Sequence, residues 1–300
     1  MKPVFIINTQ SETVAKKGSK LSQFKDSASA VYSETIFSAL DDIVRDGINA
    51  GWVIIEGGDG TAQGIISAFL NRAEDISQIP KFTLLAGGMT NQVAKNVGVK
   101  RATHKSISNL LSGANASIHT PLIQILSKGH AAQYGFLFST GGVPMVTEYT
   151  KNKLHSKGIG GSSAVLGGII RGVSGRNSDI LHPTDIALKV DGSAVLNAPH
   201  LGTLVTTLPS LLMGLDPFWG ADDKPLRVTA VAANPKKLAS HVAGLWAGRK
   251  NKDRSADGLS SWTADRLEYL YTGPVVLDGE SLELSENFTL TATPPLEFVK

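Results

Sequence analysis

The run Gly57-Gly58-Asp59-Gly60-Thr61 follows an apolar segment, Trp52 to Ile55, and precedes a helical face made by Ile65, Ile66, Phe69 and Leu70. A glycine-rich turn between strand and helix can aim backbone N–H groups and a helix N-terminus at one anion, and phosphate suits such a cradle. Glycine lets the backbone approach closely and reach positive φ without steric penalty. Asp59 alone would repel phosphate oxygens. A magnesium ion held between the carboxylate and those oxygens removes the conflict. Thr61 can cap the helix or give its hydroxyl to a phosphate. The competing reading is a tight strand-to-helix connection with Asp59 as a cap. A second glycine turn, with Gly88, Thr90 and Asn91, follows the apolar run Phe82 to Leu85 and precedes a helix through Val93 and Val97. No G-x-x-x-x-G-K-[ST] string occurs, and Gly58-x-Gly60-x-x-x-Gly64 only approximates a dinucleotide fingerprint.

Two acids near the C-terminus, Asp278 and Glu280, stand two positions apart and share a side if the chain there is extended. Paired carboxylates can separate in pKa, so that one takes a proton while the other orients it or binds metal. The same residues read equally as a hairpin, because Asp-Gly favours two-residue turns. Asp191-Gly192, after Ile186 to Val190, uses that turn without an acid two residues on. His155, His182, His200 and His241 show no metal-ligand spacing.

The elements that must position these residues fall into two halves. Up to about residue 120 strand and helix signals alternate, as in a layered α/β domain. Val4 to Ile7 is a buried-strand candidate; Ile36, Phe37, Leu40, Ile43 and Val44 mark a helix with Gly47 near its end. Beyond residue 120 short apolar or alternating segments recur near 120–126, 133–140, 184–190, 201–207, 226–232, 274–277 and 287–292, with a helix around His241 to Arg249. The expected architecture is an N-terminal Rossmann-like α/β domain over 1–120 and an antiparallel β-sandwich over 121–287. Residues 288–300 are free to return to the first domain.

Composition excludes several classes of function. With 42% hydrophobic and 6% aromatic residues the chain is an ordinary globular protein, and it contains no cysteine for disulfides, thiolate zinc or thiol nucleophiles. A formal charge of +3 is far from that of a dedicated nucleic-acid binder. No apolar run reaches the ~18 residues of a spanning helix, and the first strand is too short for a signal peptide, so a cytoplasmic protein is expected. Local charge is uneven. Lys151, Lys153, Lys157, Arg171 and Arg176 face no acid in their stretch, and Lys236, Lys237, Arg249, Lys250, Lys252 and Arg254 face only Asp253. These runs read as solvated surface or as attraction to an anionic membrane. The apolar Leu208 to Leu215, with Pro217, Phe218 and Trp219, and the segment around Trp246 read as core or as membrane-contacting.

Three segments together carry a family resemblance. VIIEGGDGTAQGIISAFL, KFTLLAGGMTNQVAKNVGV and VVLDGESLELSENFTL resemble, in order and spacing, the signatures of the diacylglycerol kinase catalytic-domain family, which includes bacterial lipid kinases and sphingosine kinases. The first signature is shared with NAD kinases. The resemblance implies an NAD kinase/diacylglycerol kinase-like nucleotide domain and transfer of the γ-phosphoryl group of ATP to a lipid hydroxyl, with magnesium. Gly57, Gly58, Asp59, Gly60, Thr61, Gly88, Thr90 and Asn91 would bind nucleotide, Glu280 would act as general base, and Asp278 would be its partner. Asp222-Asp223 resembles the family's magnesium-binding acidic turn, with Lys224 where glycine is usual. The partner implied is a lipid at a membrane surface, met peripherally; homo-oligomerisation stays open. Rival readings are an NAD kinase and a non-catalytic nucleotide- or lipid-binding regulator. The sequence departs from the family pattern in lacking an N-P-x-S-G counterpart in INTQSETVAKKGSK, in Gln63-Gly64 where Asn-Glu is usual, and in Gly88-Met89-Thr90-Asn91.

Overall fold

The computed structural model describes residues 2–34, 36–88, 91–99, 102–113, 115–142, 182–211, 216–219, 223–247 and 252–300, the side chain of Trp246 excepted. Thr90, Asp222, the basic stretch 151–176, residues 212–215, Arg249 and Lys250 lie outside the described residues. The chain divides into two compact units, Met1–Leu122 with Pro294–Lys300, and Ile123–Thr293.

In the first unit Val4–Ile7 (β1), Glu12–Lys17 (α1), Ala30–Tyr32 (β2), Leu40–Ala50 (α2), Trp52–Gly57 (β3), Asp59–Arg72 (α3), Lys81–Ala86 (β4), Gln92–Val97 (α4), His104–Leu111 (α5) and Ser117–Thr120 (β5) follow in order. Strands β2-β1-β3-β4 are parallel neighbours. The strand Leu296–Val299 continues the sheet, parallel to β4 and antiparallel to β5. β1 and β3 are buried along their whole length, which is why they read as continuous apolar runs. One sheet face packs Phe5, Ile7, Trp52, Ile54 and Leu85 against Ile107 and Leu110 of α5. On the other, Phe69 meets Phe82 edge-on at 5.4 Å.

α2 departs from its sequence pattern. It starts at Leu40, not near Ile36, and runs through Gly47 to Ala50. Gly51 ends it in the left-handed region at φ 66°, donating its N–H to the carbonyls of Gly47 and Ile48. Gly47 stays inside the helix because a Cβ there would lie 2.4 Å from the Phe69 ring, so α2 and α3 close over a missing side chain.

The second unit is antiparallel throughout: Ile123–Ser127 (β6), Gln133–Gly135 (β7), Leu137–Thr140 (β8), Thr184–Val190 (β9), Ser193–Thr206 (β10), Leu226–Ala232 (β11), the helix Leu238–Trp246 (α6), Leu259–Ala264 (β12), Arg266–Leu270 (β13), Val275–Leu277 (β14), Glu280–Leu282 (β15) and Asn287–Ala292 (β16). These strands join in one eleven-stranded hydrogen-bonded sheet whose apolar face closes on a single core that includes Ile125, Phe138, Leu188, Val205, Leu267, Tyr269 and Phe288. The long β10 bends between His200 and Gly202, pairing with β9 before the bend and with β8 and β11 after it. Because β16 pairs with β13 and β6, only Leu296–Val299 (β17) returns to the first unit's sheet, a shorter segment than 288–300.

Candidate functional site

In the order β2-β1-β3-β4 the chain turns outward in opposite directions from β1 and β3. Open α/β sheets bind ligands at that switch point, outside the carboxyl ends of the strands. The residues at this end are Asn8 after β1, Gly57-Gly58 at the end of β3 and Gly87-Gly88 after β4. Asn8 bridges the switch: its Nδ2 donates to Thr61 Oγ1 at 2.7 Å, and its backbone N–H to the Glu56 carbonyl at 2.9 Å. Sequence reasoning missed Asn8, because a lone asparagine in a polar turn resembles any turn residue. Its place directly after a continuously apolar strand was the usable signal.

The two glycine loops lock together through their backbones. Gly87 donates its N–H to the Gly57 carbonyl at 2.9 Å. A Cβ on Gly88 would lie 2.5 Å from Gly58 Cα, and one on Gly87 would lie 2.9 Å from Gly57 N. Gly58 is the N-cap of α3 in an extended conformation, and Asp59, Gly60 and Thr61 form the first turn, whose amides point out of the helix start. Asn91, left-handed at φ 48°, closes the second loop: Gly88 N–H donates to its Oδ1 and its Nδ2 donates to the Gly88 carbonyl, both at 2.8 Å. Thr13 joins the loop from α1, its Oγ1 donating to the same carbonyl at 3.0 Å.

Asp59 caps a helix, but a neighbouring one. Its Oδ2 accepts the N–H of Gln92 at 2.8 Å and its Oδ1 that of Val93 at 3.0 Å, at the N-terminus of α4. The positive end of that helix compensates the carboxylate. A carboxylate at the start of α3 beside the glycine loops is of the ligand type magnesium takes. Gly88→Ala is expected to pry the loops apart, since the clash is with backbone and no rotamer relieves it. We expect a loss of about 1–3 kcal/mol in the first unit, by the overpacking rule, and at least a tenfold weaker nucleotide affinity, read by denaturation and calorimetric titration.

Beside the loops an open hollow of about 240 Å³ is lined by Asn8, Thr9, Gln10, Ser33, Glu34, Ile36, Phe37 and Ser38. Phe37 is 58% exposed there and lies against α3: a Cβ on Gly64 would lie 3.2 Å from its ring. An aromatic ring thus covers the position where the family pattern has a carboxylate. Glu56, also unread in the sequence, is buried and ties down the segment after α1, accepting from Ser19 Oγ at 2.5 Å and from the amides of Lys20 and Leu21 at 3.0 and 3.1 Å.

Asp278 and Glu280 belong to the second unit. They do not share one face of an extended strand. Asp278 and Gly279, at φ 51° and 91°, are the two turn residues between β14 and β15, and Glu280 pairs with Leu277. The Asp278 carboxylate accepts the N–H of Phe136, at 3.1 Å to Oδ1 and 3.0 Å to Oδ2, and that of Leu137 at 2.8 Å, while its own N–H donates to the Leu137 carbonyl at 2.8 Å. Asp191 repeats the arrangement: φ 48°, two accepted amides from Asp265 and Arg266 at 3.0 and 2.9 Å, and its N–H given to Arg266 O at 2.9 Å. This fold uses its Asp-Gly turns to pin the start of a neighbouring strand. Asp278 therefore pins the start of β8, and Glu280 is exposed at the start of β15.

Of the acidic pair, Asp223 alone lies within the described residues. Asp223 Oδ1 accepts from Thr263 Oγ1 at 2.7 Å, and Lys224 sits against Asp191. Burial works against ionising Asp191, yet the Lys224 ammonium and the Arg266 and Asp265 amides outweigh it and hold the carboxyl below the ordinary range. Among the described residues no group of three or more His, Cys, Asp or Glu is placed to hold a metal.

Residues 3–121 match the family model described as the diacylglycerol kinase catalytic domain, a stretch that includes the first two of the three resembling segments but not the third. Solved structures from Bacillus anthracis str. Sterne share the fold. One described as a diacylglycerol kinase is 13% identical, with TM-score 0.60, over 99% of this chain and 93% of that one. Two provisionally described as diacylglycerol kinases are each 15% identical over all of this chain, with TM-scores of 0.67 and 0.63, covering 92% and 94% of their own lengths. The fold is thus of the diacylglycerol kinase kind: an α/β domain followed by an antiparallel β domain. No curated protein matches the sequence.

Proposed function

We propose that this chain is an ATP- and magnesium-dependent kinase whose acceptor is the hydroxyl of a diacylglycerol-like or sphingoid lipid. The observation that carries the reading is the locking of both glycine loops at the β1/β3 switch point, where α3 presents its first-turn amides. Such amides, fixed before the ligand arrives, stabilise charge on phosphate oxygens without reorganising. Magnesium, held at Asp59, would neutralise charge on the β- and γ-phosphates. Glu280 takes the acceptor's proton as the hydroxyl oxygen forms its bond to the γ-phosphorus and the bond to the β,γ-bridging oxygen breaks, leaving ADP. Asp278 keeps the Glu280 hairpin in place.

A lipid acceptor is supported by α6. Its residues Leu238, Ala239, Val242, Ala243 and Leu245 are apolar, yet none of them is buried, and Lys236, Lys237 and Lys252 beside it are exposed. Among the described residues no helix is long and apolar enough to cross a membrane, so contact through this face would be peripheral.

Transfer of labelled phosphate from ATP to diacylglycerols, monoacylglycerols, sphingoid bases and ceramides in neutral and anionic vesicles tests the reading, with NAD as a parallel acceptor. Turnover of one lipid class, faster on anionic vesicles, is expected. Turnover of NAD alone makes the chain an NAD kinase, and tight ATP binding without transfer to any acceptor makes it a regulator.

A further inference from the structure

We propose that the ammonium of Lys224 replaces a divalent cation at the acidic turn before β11, so that this part of the second unit is assembled without metal. The turn lies among carboxylates from three places in the sequence. Asp191 belongs to the β9–β10 hairpin, Asp223 precedes the lysine, and Asp265 joins β12 to β13. Lys224 Nζ is 2.7 Å from Asp191 Oδ2 and 3.9 Å from Asp265 Oδ2. Asp223 turns its Oδ1 to Thr263 Oγ1 at 2.7 Å, on β12. A lysine delivers one charge on a covalent tether, whereas a magnesium ion demands near-octahedral oxygens and keeps several waters. Here the positive charge is already supplied: Asp191 Oδ1 accepts from two amides and its Oδ2 from the ammonium, while Asp223 Oδ1 accepts from a hydroxyl.

The arrangement also explains the residue type. Lysine at 224 fills the space beside Asp191 and Asp265 with a cation that cannot dissociate. Isolated surface ion pairs contribute little. Lys224 differs because it is two-thirds buried and faces several acids whose mutual repulsion it relieves.

Thermal melts of the whole chain without nucleotide, at constant ionic strength, test this directly. Wild type should melt at the same temperature in EDTA, Mg²⁺ or Ca²⁺. Lys224→Met should lower the second unit's transition by about 2–4 °C, Lys224→Arg should keep it within a degree or so of wild type, and Asp191→Asn combined with Lys224→Met should lose less than the two changes separately. If Lys224→Met melts with wild type, or if Mg²⁺ raises the wild-type melting point and Asp223→Asn removes that rise, the proposal is overturned. None of these readouts requires kinase activity, so a failure here leaves the function reading standing, and the reverse.

Discussion

Asp59→Ala should lower phosphoryl transfer by about 10²-fold or more and loosen the first unit at the same time. The carboxylate holds two amides of α4 while standing in the first turn of α3, so its removal uncaps one helix and cuts its side-chain tie to the start of the other. Loss of an N-cap costs about 1–2 kcal/mol, and loss of fixed charge at a phosphate site lowers turnover by about 10²-fold or more. Asp59→Asn separates the two roles. Asparagine retains one acceptor oxygen and so recovers part of the stability, but it brings no negative charge for magnesium. Denaturant unfolding should therefore place it between wild type and alanine, while its kcat stays near that of alanine. Wild-type turnover in Asp59→Asn would remove the metal role and leave only the cap.

Glu280→Gln should lower kcat by about 10²- to 10⁴-fold with an unchanged melting profile, because the side chain is exposed at the edge of a hairpin. Asp278→Ala should do the opposite first: it strips acceptors from the Phe136 and Leu137 amides and puts alanine at φ 51°. We expect about 2 kcal/mol or more lost from the second unit, with kcat falling through the displaced hairpin. Asp278→Asn, which tolerates the left-handed region and still accepts, should restore most of both. Full activity in Glu280→Gln would return the acid's role to another residue, and a folded but inactive Asp278→Asn would give it to Asp278.

The sequence displayed most of the first unit because its signals are local. Buried parallel strands give unbroken apolar runs, and Gly57 to Thr61 sit between such a run and a helical face. The Asp-Gly hairpins were equally legible, since two-residue turns fix their own register. Features that depend on distant partners were not. Nothing near Asp59 shows that it will cap α4, and nothing near Gly64 shows that Phe37 will cover it. The start of α2 was misplaced because Ile36 and Phe37 keep helical spacing although one is buried in a turn and the other faces the hollow. In the second unit the acidic pair followed the extended-chain rule on paper. The turn, with Asp278 at positive φ, breaks that alternation.

The place of β17 has a consequence for the order in which this protein is made. A ribosome releases β1 to β5 first, yet the gap between β4 and β5 is filled only by Leu296–Val299. Phe82, Thr83 and Ile118 therefore wait for Phe298 and Val299 until residues 123–293 have emerged. During that interval the nascent first unit exposes two unpaired strand edges, the kind of surface that recruits chaperones or pairs wrongly. The insertion of the second unit thus doubles as a timer: the first unit is completed last, when the second has already had the chance to fold.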